Sequence, residues 1–519
     1  MIHNTLNISF QKDPLTLDPR ESGDFFSSAV IFLLFKGLTR FEANQSVSCD
    51  LAESYHILNN HKTYVFQLGN HVWSDGSPIT AHDFEYSWKQ ALSPDFPLRA
   101  INIFYYIKNA KKAKEGDLPL SEVGVYAQDD KTLVVELENP CPYFLELTSF
   151  CPMFPICAKA PKEKIFSVTS GAFSLYYWKP KKQLELIKNP AHRPFVHLGR
   201  ISISIIPDEQ EALSLFEKGD LDWIGDPVSP LPLSCVSELW QAKRIKPLAG
   251  MIGCWFNTLS PFIQSNPLRK ALSHALSRQD LLQNLNLPNS LAARSFYPFD
   301  PLGMKQDTLI ENCDLKAKKY WQIGLKELGL KKLRLSLTYE NNEEFTKVSG
   351  FLKTMWESTF DNLSIELDPV PFKEFWQRLP KHQFEMALTS SISQYTDVID
   401  FLERFEYGDN PRNFSGWEDS SYVELLKKYR KSTNSQQRSE IALKAEKVLL
   451  EEMPVAPLYY YHYLYLQKPY VKNLAVSPIG VMQFDRVILD GKPSFENLSQ
   501  KDTISSSGAY LKNHFSWNS

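Results

Sequence analysis

Nowhere does this chain run 18 consecutive apolar residues, so no segment of it reads as a transmembrane helix. "SSAVIFLLF" (27–35) is short and internal, and it reads as a buried helix. An excess of charge is also missing: 57 Lys and Arg stand against 60 Asp and Glu, a net charge of −3. That balance gives no reason to expect a nucleic-acid partner. Cysteine is sparse. The seven residues, Cys49, Cys141, Cys151, Cys157, Cys235, Cys254 and Cys313, form no Cys-x-x-Cys pair, which argues against a zinc knuckle or a thioredoxin-type motif. Cys141, Cys151 and Cys157 are close enough in sequence for one disulfide, but small buried hydrophobes are the plainer reading. Cysteine usage does not fix the compartment.

Catalytic signatures are lacking too. There is no G-x-S-x-G elbow, no H-E-x-x-H helix and no phosphate-cradling G-x-x-x-x-G-K-[ST]. His192 and His197 have neither the spacing nor the context of a metal pair. The expectation is a protein that is not an enzyme, with no cofactor and no metal. The N-terminus "MIHNTLNISF" lacks the basic-then-apolar pattern of a signal peptide. It leaves two readings, a cytoplasmic protein or one whose leader has been removed. The strand-like "LNISF" opening favours a trimmed mature chain.

What is present is bulk and aromaticity. With 519 residues the chain can bury two or three cores, and 13% aromatic content suits large cores or grooves lined for organic ligands. "WSDGSPITAHDFEYSW" (73–88) packs a turn and a helix start together. Asp75 can close a turn on its own backbone, Gly76 takes positive φ, and Thr80 with Asp83 reads as a helix N-terminus. Phe84, Trp88 and Leu92 recur at helical spacing as an apolar stripe. This is a scaffold corner.

Residues 4–10, 62–68 and 131–140 alternate as strands, and 26–36 reads as a helix. Residues 200–223 read as strand then helix, opened at Pro207-Asp208 and closed at Gly219. Residues 266–285 read as one helix, with Asn266 as cap and Pro267 at its first position. From 311 the chain alternates helix and strand through "KLRLSLTY", "LSIELDPV" and "FEMALTS", the rhythm of an α/β domain. A helix over 436–452 and the aromatic strand "PLYYYHYLYL" (457–466) follow. The tail from about 494 reads as loose.

Five blocks in one order then point to a family. They are "LAESY…KTYVFQLGNHVWSDGSPITAHDFEYSW", "GAFSLYYWKPKKQLELIKNP", "ISIIPDEQEALSLFEKGDLDW", "WFNTLSPFIQSNPLRKALSHALSRQDLL" and "AEKVLLEEMPVAPLYYYHYLYLQKPYV". Together they resemble the family 5 extracellular solute-binding proteins, the peptide-binding subunits of bacterial oligopeptide and dipeptide ABC importers. The resemblance implies an α/β, two-lobed, Venus-flytrap fold with an extra small domain in lobe one. Residues 1–35, 160–256 and 463–519 would form lobe one, 36–159 the extra domain, and 257–462 lobe two. Hinge strands would fall near Trp255–Thr258 and Leu458–His462.

The resemblance also implies a function: capture of a peptide between the lobes and delivery to a membrane permease, by a monomer in the periplasm or tethered outside the membrane. Relatives carry a Trp-x-Ala-Asp-Tyr-type segment whose Asp pairs with the peptide α-ammonium. The matching stretch here is "ALTSSISQYTDVIDFL" (387–402), with Gln394 at the Asp position, Ser391 at the Trp position, and Ile392 and Tyr395 beside them. Losing one partner of a buried ion pair costs about 3–5 kcal/mol, or roughly two to four decades of affinity. Three readings stay open. Another acid (Asp397, Asp400, Asp24 or Glu21) takes the ammonium; the ligand lacks an ordinary free N-terminus, as in a blocked, γ-linked or cell-wall-derived peptide; or Gln394 is a neutral cleft residue. Trp255, Asn257 and Tyr461 are further candidate contacts, with hinge packing as the competing role. Arg378 could meet a ligand carboxylate, against a solvated helix face. Other family members take nickel chelates, haem or sugars, and a peptide or cell-wall hydrolase is the enzyme-class alternative.

Overall fold

A computed structural model describes residues 4–42, 46–98, 100–232, 235, 245–285, 291–297, 312–395, 397–477 and 480–492. Ten strands form one mixed sheet. Their order is Leu363–Val370, Leu333–Glu340, Met386–Ile392, Ile245–Phe256, Val455–Gln467, Trp223–Gly225, Thr5–Phe10, Arg200–Ile205, Gln183–Lys188 and Phe173–Lys179. The alternation read at 4–10 appears as Thr5–Phe10, with Leu6 and Ile8 fully buried.

The two central strands are the longest, at 12 and 13 residues, and they serve both halves of the sheet. Gly250–Phe256 pairs with Met386–Ile392 on one side, while Tyr465–Gln467 pairs with Trp223–Gly225 on the other. The two run antiparallel to each other, with register shifts between Pro247 and Met251 and between Ile252 and Gly253. Proline has no N–H to give a ladder, which suits Pro247 to such a break. A Cβ on Gly250 would meet Ile392 Cγ1 at 2.7 Å and the Ser391 carbonyl oxygen at 2.9 Å, so only glycine lets these strands approach so closely. The break lies opposite Tyr460–His462, inside the expected hinge range on that strand, but ahead of Trp255–Thr258 on the other.

The alternation from 311 onward builds one half. Leu333–Glu340 pairs in parallel with both Leu363–Val370 and Met386–Ile392, as helix-connected strands do. Leu272, Leu337, Trp356 and Leu458 pack in that half's core. A larger cluster joins Ile8, Phe84, Trp88, Tyr395 and Tyr463.

A separate four-stranded sheet, Ala52–Leu58, Thr63–Leu68, Thr132–Glu136 and Val125–Ala127, packs against the helix Ala81–Ala91. The sequence corner opens that helix. Gly76 has φ 86°, Asp75 Oδ1 accepts the Ser77 N–H at 2.9 Å, and Asp83 Oδ2 accepts the Thr80 N–H at 2.8 Å. Phe84, Trp88 and Leu92 are fully buried. Each such side chain contributes about 1.5–3 kcal/mol of burial.

Two expectations need correcting. The span 266–285 is not one helix but two, Asn266–His274 and Arg278–Asn284, because the Ser277 hydroxyl accepts the Asp280 N–H and restarts the chain. Ser265, not Asn266, holds the first cap position; Asn266 Nδ2 instead reaches the carbonyls of Glu451 and Glu452. The plainer cysteine reading stands: Cys141, Cys151 and Cys157 are all free and buried, and burial pushes each thiol up. The tail from 494 lies outside the described residues.

Candidate functional site

A cavity of about 190 Å³ lies where Val455–Gln467 passes between the two halves. Phe25, Phe345, Phe372, Trp376 and Tyr461 line it with aromatic surface. Four carboxylates share the lining: Glu209, Asp226, Glu340 and Glu344. Glu209 opens the helix Glu209–Lys218, and Asp226 follows the strand Trp223–Gly225, both on one side of the central strands. Glu340 ends the strand Leu333–Glu340 and Glu344 lies in the first turn of Glu343–Thr359, both on the other side.

Among the described residues, Glu340 alone of the four has a cationic partner. Lys12 Nζ lies 2.8 Å from its Oε1 and 3.8 Å above the Phe372 ring. Among the described residues, Glu209, Asp226 and Glu344 have none. Glu209 Oε1 accepts from Gln11 Nε2 at 3.3 Å, Glu344 Oε1 from the Tyr459 hydroxyl at 2.6 Å, and Asp226 Oδ2 from the Leu464 N–H at 3.1 Å. Burial, then the neighbouring charges of Glu343 and Glu344, pushes Glu209 up to about 7. Burial and then Glu344 hold Asp226 well above the carboxylate range, and burial raises Glu344. His462 is pushed down to about 4, chiefly by burial, so it adds no positive charge at neutral pH.

The segment singled out in the sequence folds elsewhere and differently. Gln394 Oε1 accepts from Arg412 Nη1 at 3.0 Å and from Asn102 Nδ2 at 3.5 Å. Arg412 is also bidentate on Asp400, at 2.8 and 3.1 Å. Arg404 pairs with Asp400 at 3.0 Å, bonds the Ser391 hydroxyl, and reaches the Ile392 carbonyl at 2.8 Å. Burial alone would push Asp400 up, but Arg412 and Arg404 outweigh it and hold the carboxyl below its ordinary value. Asp397 pairs with Arg438 and accepts the Tyr429 hydroxyl at 2.6 Å. Tyr395 stacks on Tyr143 with centroids 5.3 Å apart and donates to Glu403 Oε1 at 3.0 Å. Tyr106 donates to Glu403 Oε2 at 2.6 Å, and Arg430 pairs with Glu406 at 2.5 Å.

Of the eight residues named from the sequence, Tyr461 lines the cavity. Gln394, Tyr395, Ser391, Ile392 and Asp397 belong to the arginine–carboxylate lattice. Trp255 is fully buried and stacks on Phe405 at 5.4 Å, so it packs a core. Asn257 donates to the carbonyls of His382 and Phe384 at 3.0 and 2.7 Å, a turn-fixing role. The candidate acids are committed as well. Asp397 and Asp400 are held by arginines, and Asp24 caps the helix Phe25–Leu34 through the Ser27 N–H at 2.9 Å. Glu21 takes the Thr16 hydroxyl at 3.4 Å. Arg378 lies 3.0 Å from Asp368 and also pairs with Glu374. The cavity carboxylates were not found from sequence. Glu209 and Glu344 lie in the first turns of their helices, where the helix dipole favours any acid, so nothing local marks them as a site.

With this geometry in hand, comparison with known proteins is direct. The family profile described as bacterial extracellular solute-binding proteins, family 5 (middle), matches residues 46–413. The oligopeptide-binding protein OppA of Bacillus subtilis is 32% identical over 500 residues, covering 92% of each chain. A structure of Listeria monocytogenes OppA bound to peptide superposes with a TM-score of 0.83 at 25% identity, over 94% of this chain and 99% of that one. The fold also matches the Escherichia coli murein tripeptide-binding protein MppA, with a TM-score of 0.85 at 23% identity over 93% and 98% of the two chains. Against the unliganded open form of MppA the score falls to 0.69, at 22% identity over 94% and 98%.

Proposed function

The chain belongs to the bacterial extracellular solute-binding proteins of family 5, and we propose that it captures peptides or peptide-like solutes between its two lobes and hands them to the permease of an ABC importer. The observation that carries this reading is the cavity between halves that share the strands Ile245–Phe256 and Val455–Gln467. Ligand sites favour such inter-lobe crevices, enclosed by aromatic walls with a few polar groups. Hinge closure around a ligand is the expected motion.

The proposal includes the organisation. Lobe one comprises 1–35, 160–256 and 463–519, with 36–159 as an extra small domain, and lobe two comprises 257–462. The separate four-stranded sheet supports the extra domain. The protein acts as a monomer outside the cytoplasmic membrane, free or tethered, and is not an enzyme. In this reading Gln394 is no amine receptor. Its oxygen is already taken by Arg412, and a guanidinium beside it opposes a second cation.

The test is native mass spectrometry of the purified protein, followed by denaturation and identification of what is released. A released peptide or peptide-derived molecule supports the reading. A released haem, sugar or metal chelate, or turnover of added peptides, overturns it.

A further inference from the structure

The cavity's charge says what kind of solute suits it. Four carboxylates and one lysine line it, and the lysine is spent on Glu340. Asp226 is only 9% exposed, faces the cavity, and receives one backbone N–H on Oδ2; among the described residues its other oxygen has no donor. A carboxylate so far out of water needs a counter-charge or a proton. Its neighbours supply no cation: Glu209 and Glu344 face the same space, and their charges act on one another and on Asp226. Among the described residues no three acids, cysteines or histidines converge tightly enough to hold a metal ion. The geometry calls for an extended organic cation rather than a point charge. Aromatic walls at Phe345, Phe372 and Trp376 suit the methylene stem or the cation itself.

We propose that Glu209, Asp226 and Glu344 form the receptor for a positively charged amine of the ligand, so that the preferred cargo carries a cationic side chain or terminus that docks there and not at Gln394. This rests on the inter-lobe cavity being the ligand site. It also couples charge to closure. Glu209 and Asp226 approach from one half and Glu344 from the other, so closing brings acids together at the cost of repulsion or proton uptake, and an amine between them removes that cost. A ligand shifts a conformational equilibrium only through such a difference in affinity for the two states.

The experiment is calorimetry on the whole chain, stripped of bound solute, with trilysine, fully N-acetylated trilysine, trialanine and spermidine. Trilysine is expected to bind at least about tenfold more tightly than its acetylated form, the scale of a close charge pair lost. Glu344→Gln and Glu209→Gln, each checked for an unchanged unfolding transition, are expected to erase most of that preference. Equal binding of all three peptides overturns this proposal and leaves the peptide reading standing. Binding of spermidine alone, lost in both variants, sustains the amine receptor and overturns the peptide reading. Binding of none of the four probes overturns the amine receptor, and so does a preference for trilysine that both variants retain.

Discussion

Two acid-rich regions lie within this one molecule, and they are built on opposite terms. Around Gln394, Asp397, Asp400, Glu403 and Glu406 meet Arg404, Arg412, Arg430 and Arg438, and every carboxylate has a guanidinium partner. In the cavity, among the described residues, Glu209, Asp226, Glu340 and Glu344 meet one cation, Lys12. The first region is electrically complete without a ligand. The second is short of positive charge, as a site that awaits a cation would be. The comparison teaches that the number of acids says little; the number left over after pairing is what bears on function.

That contrast can be broken most severely at Asp400. Asp400→Asn strands two buried arginines, and urea unfolding should show a loss of about 3–5 kcal/mol, the cost of removing one partner of a buried pair. Asp226→Asn, also buried but without a cation among the described residues, is expected to leave the stability of the empty protein unchanged or raised. If both lose the same amount, the distinction between the regions is gone.

A smaller effect is expected at Tyr395. Tyr395→Phe deletes a donor to Glu403 and leaves Asn102, Tyr106 and Arg430 around that carboxylate. Denaturation should register about 1.5–3 kcal/mol, the range for a hydrogen bond to a charged group.

The pH dependence sharpens the cavity side. Burial first, then the charges of Glu343, Glu344 and Asp208, push Glu209 from an ordinary 4.5 up to about 7, against the opposing hydrogen bond from Gln11. Between those two values the folded protein holds a proton that the unfolded chain has lost. Stability from this group therefore falls as pH rises from 4.5 to 7. Melting temperature measured across that range should fall less in Glu209→Gln than in the parent. An unchanged slope would place the charge pressure elsewhere.

The smallest effect belongs to the partly buried Lys12–Glu340 pair at the cavity rim. Lys12→Ala should cost about 0–1 kcal/mol, visible as a small shift in the melting temperature of the empty protein. A large loss would make this pair a structural clasp rather than a rim contact.

Much of the frame was legible beforehand. The corner at Ser74–Asp83, the helix closed at Gly219 and the helix–strand rhythm after 311 all declare themselves through local chemistry, and each sits where the sequence places it. The substitution at Gln394 was legible too, but its meaning was not. Arg412 lies 18 positions away and Asn102 292 positions away, and only the fold brings them to its side chain. The cavity acids failed for the same reason. Glu209 and Asp226 stand at opposite ends of one helix–strand unit and Glu344 lies far along the chain, and each alone looks like a solvated charge. The division of 266–285 was missed because the recapping serine, Ser277, sits in an otherwise unbroken helical pattern.

The break in the ladder between Pro247 and Met251 carries a mechanical consequence. If the hinge lies at this break, the paired central strands act as two stiff beams spliced by a short compliant joint. A load applied at either end bends the joint before it bends the beams. Movement between the halves would then cost few backbone hydrogen bonds, and the beams would keep their own pairing with each half throughout. Gly250 sits inside that joint, wedged against Ile392, so the most flexible residue type marks a crowded point. A methyl group added there would work as a pin through the splice, setting the angle between the beams without touching any residue that lines the cavity.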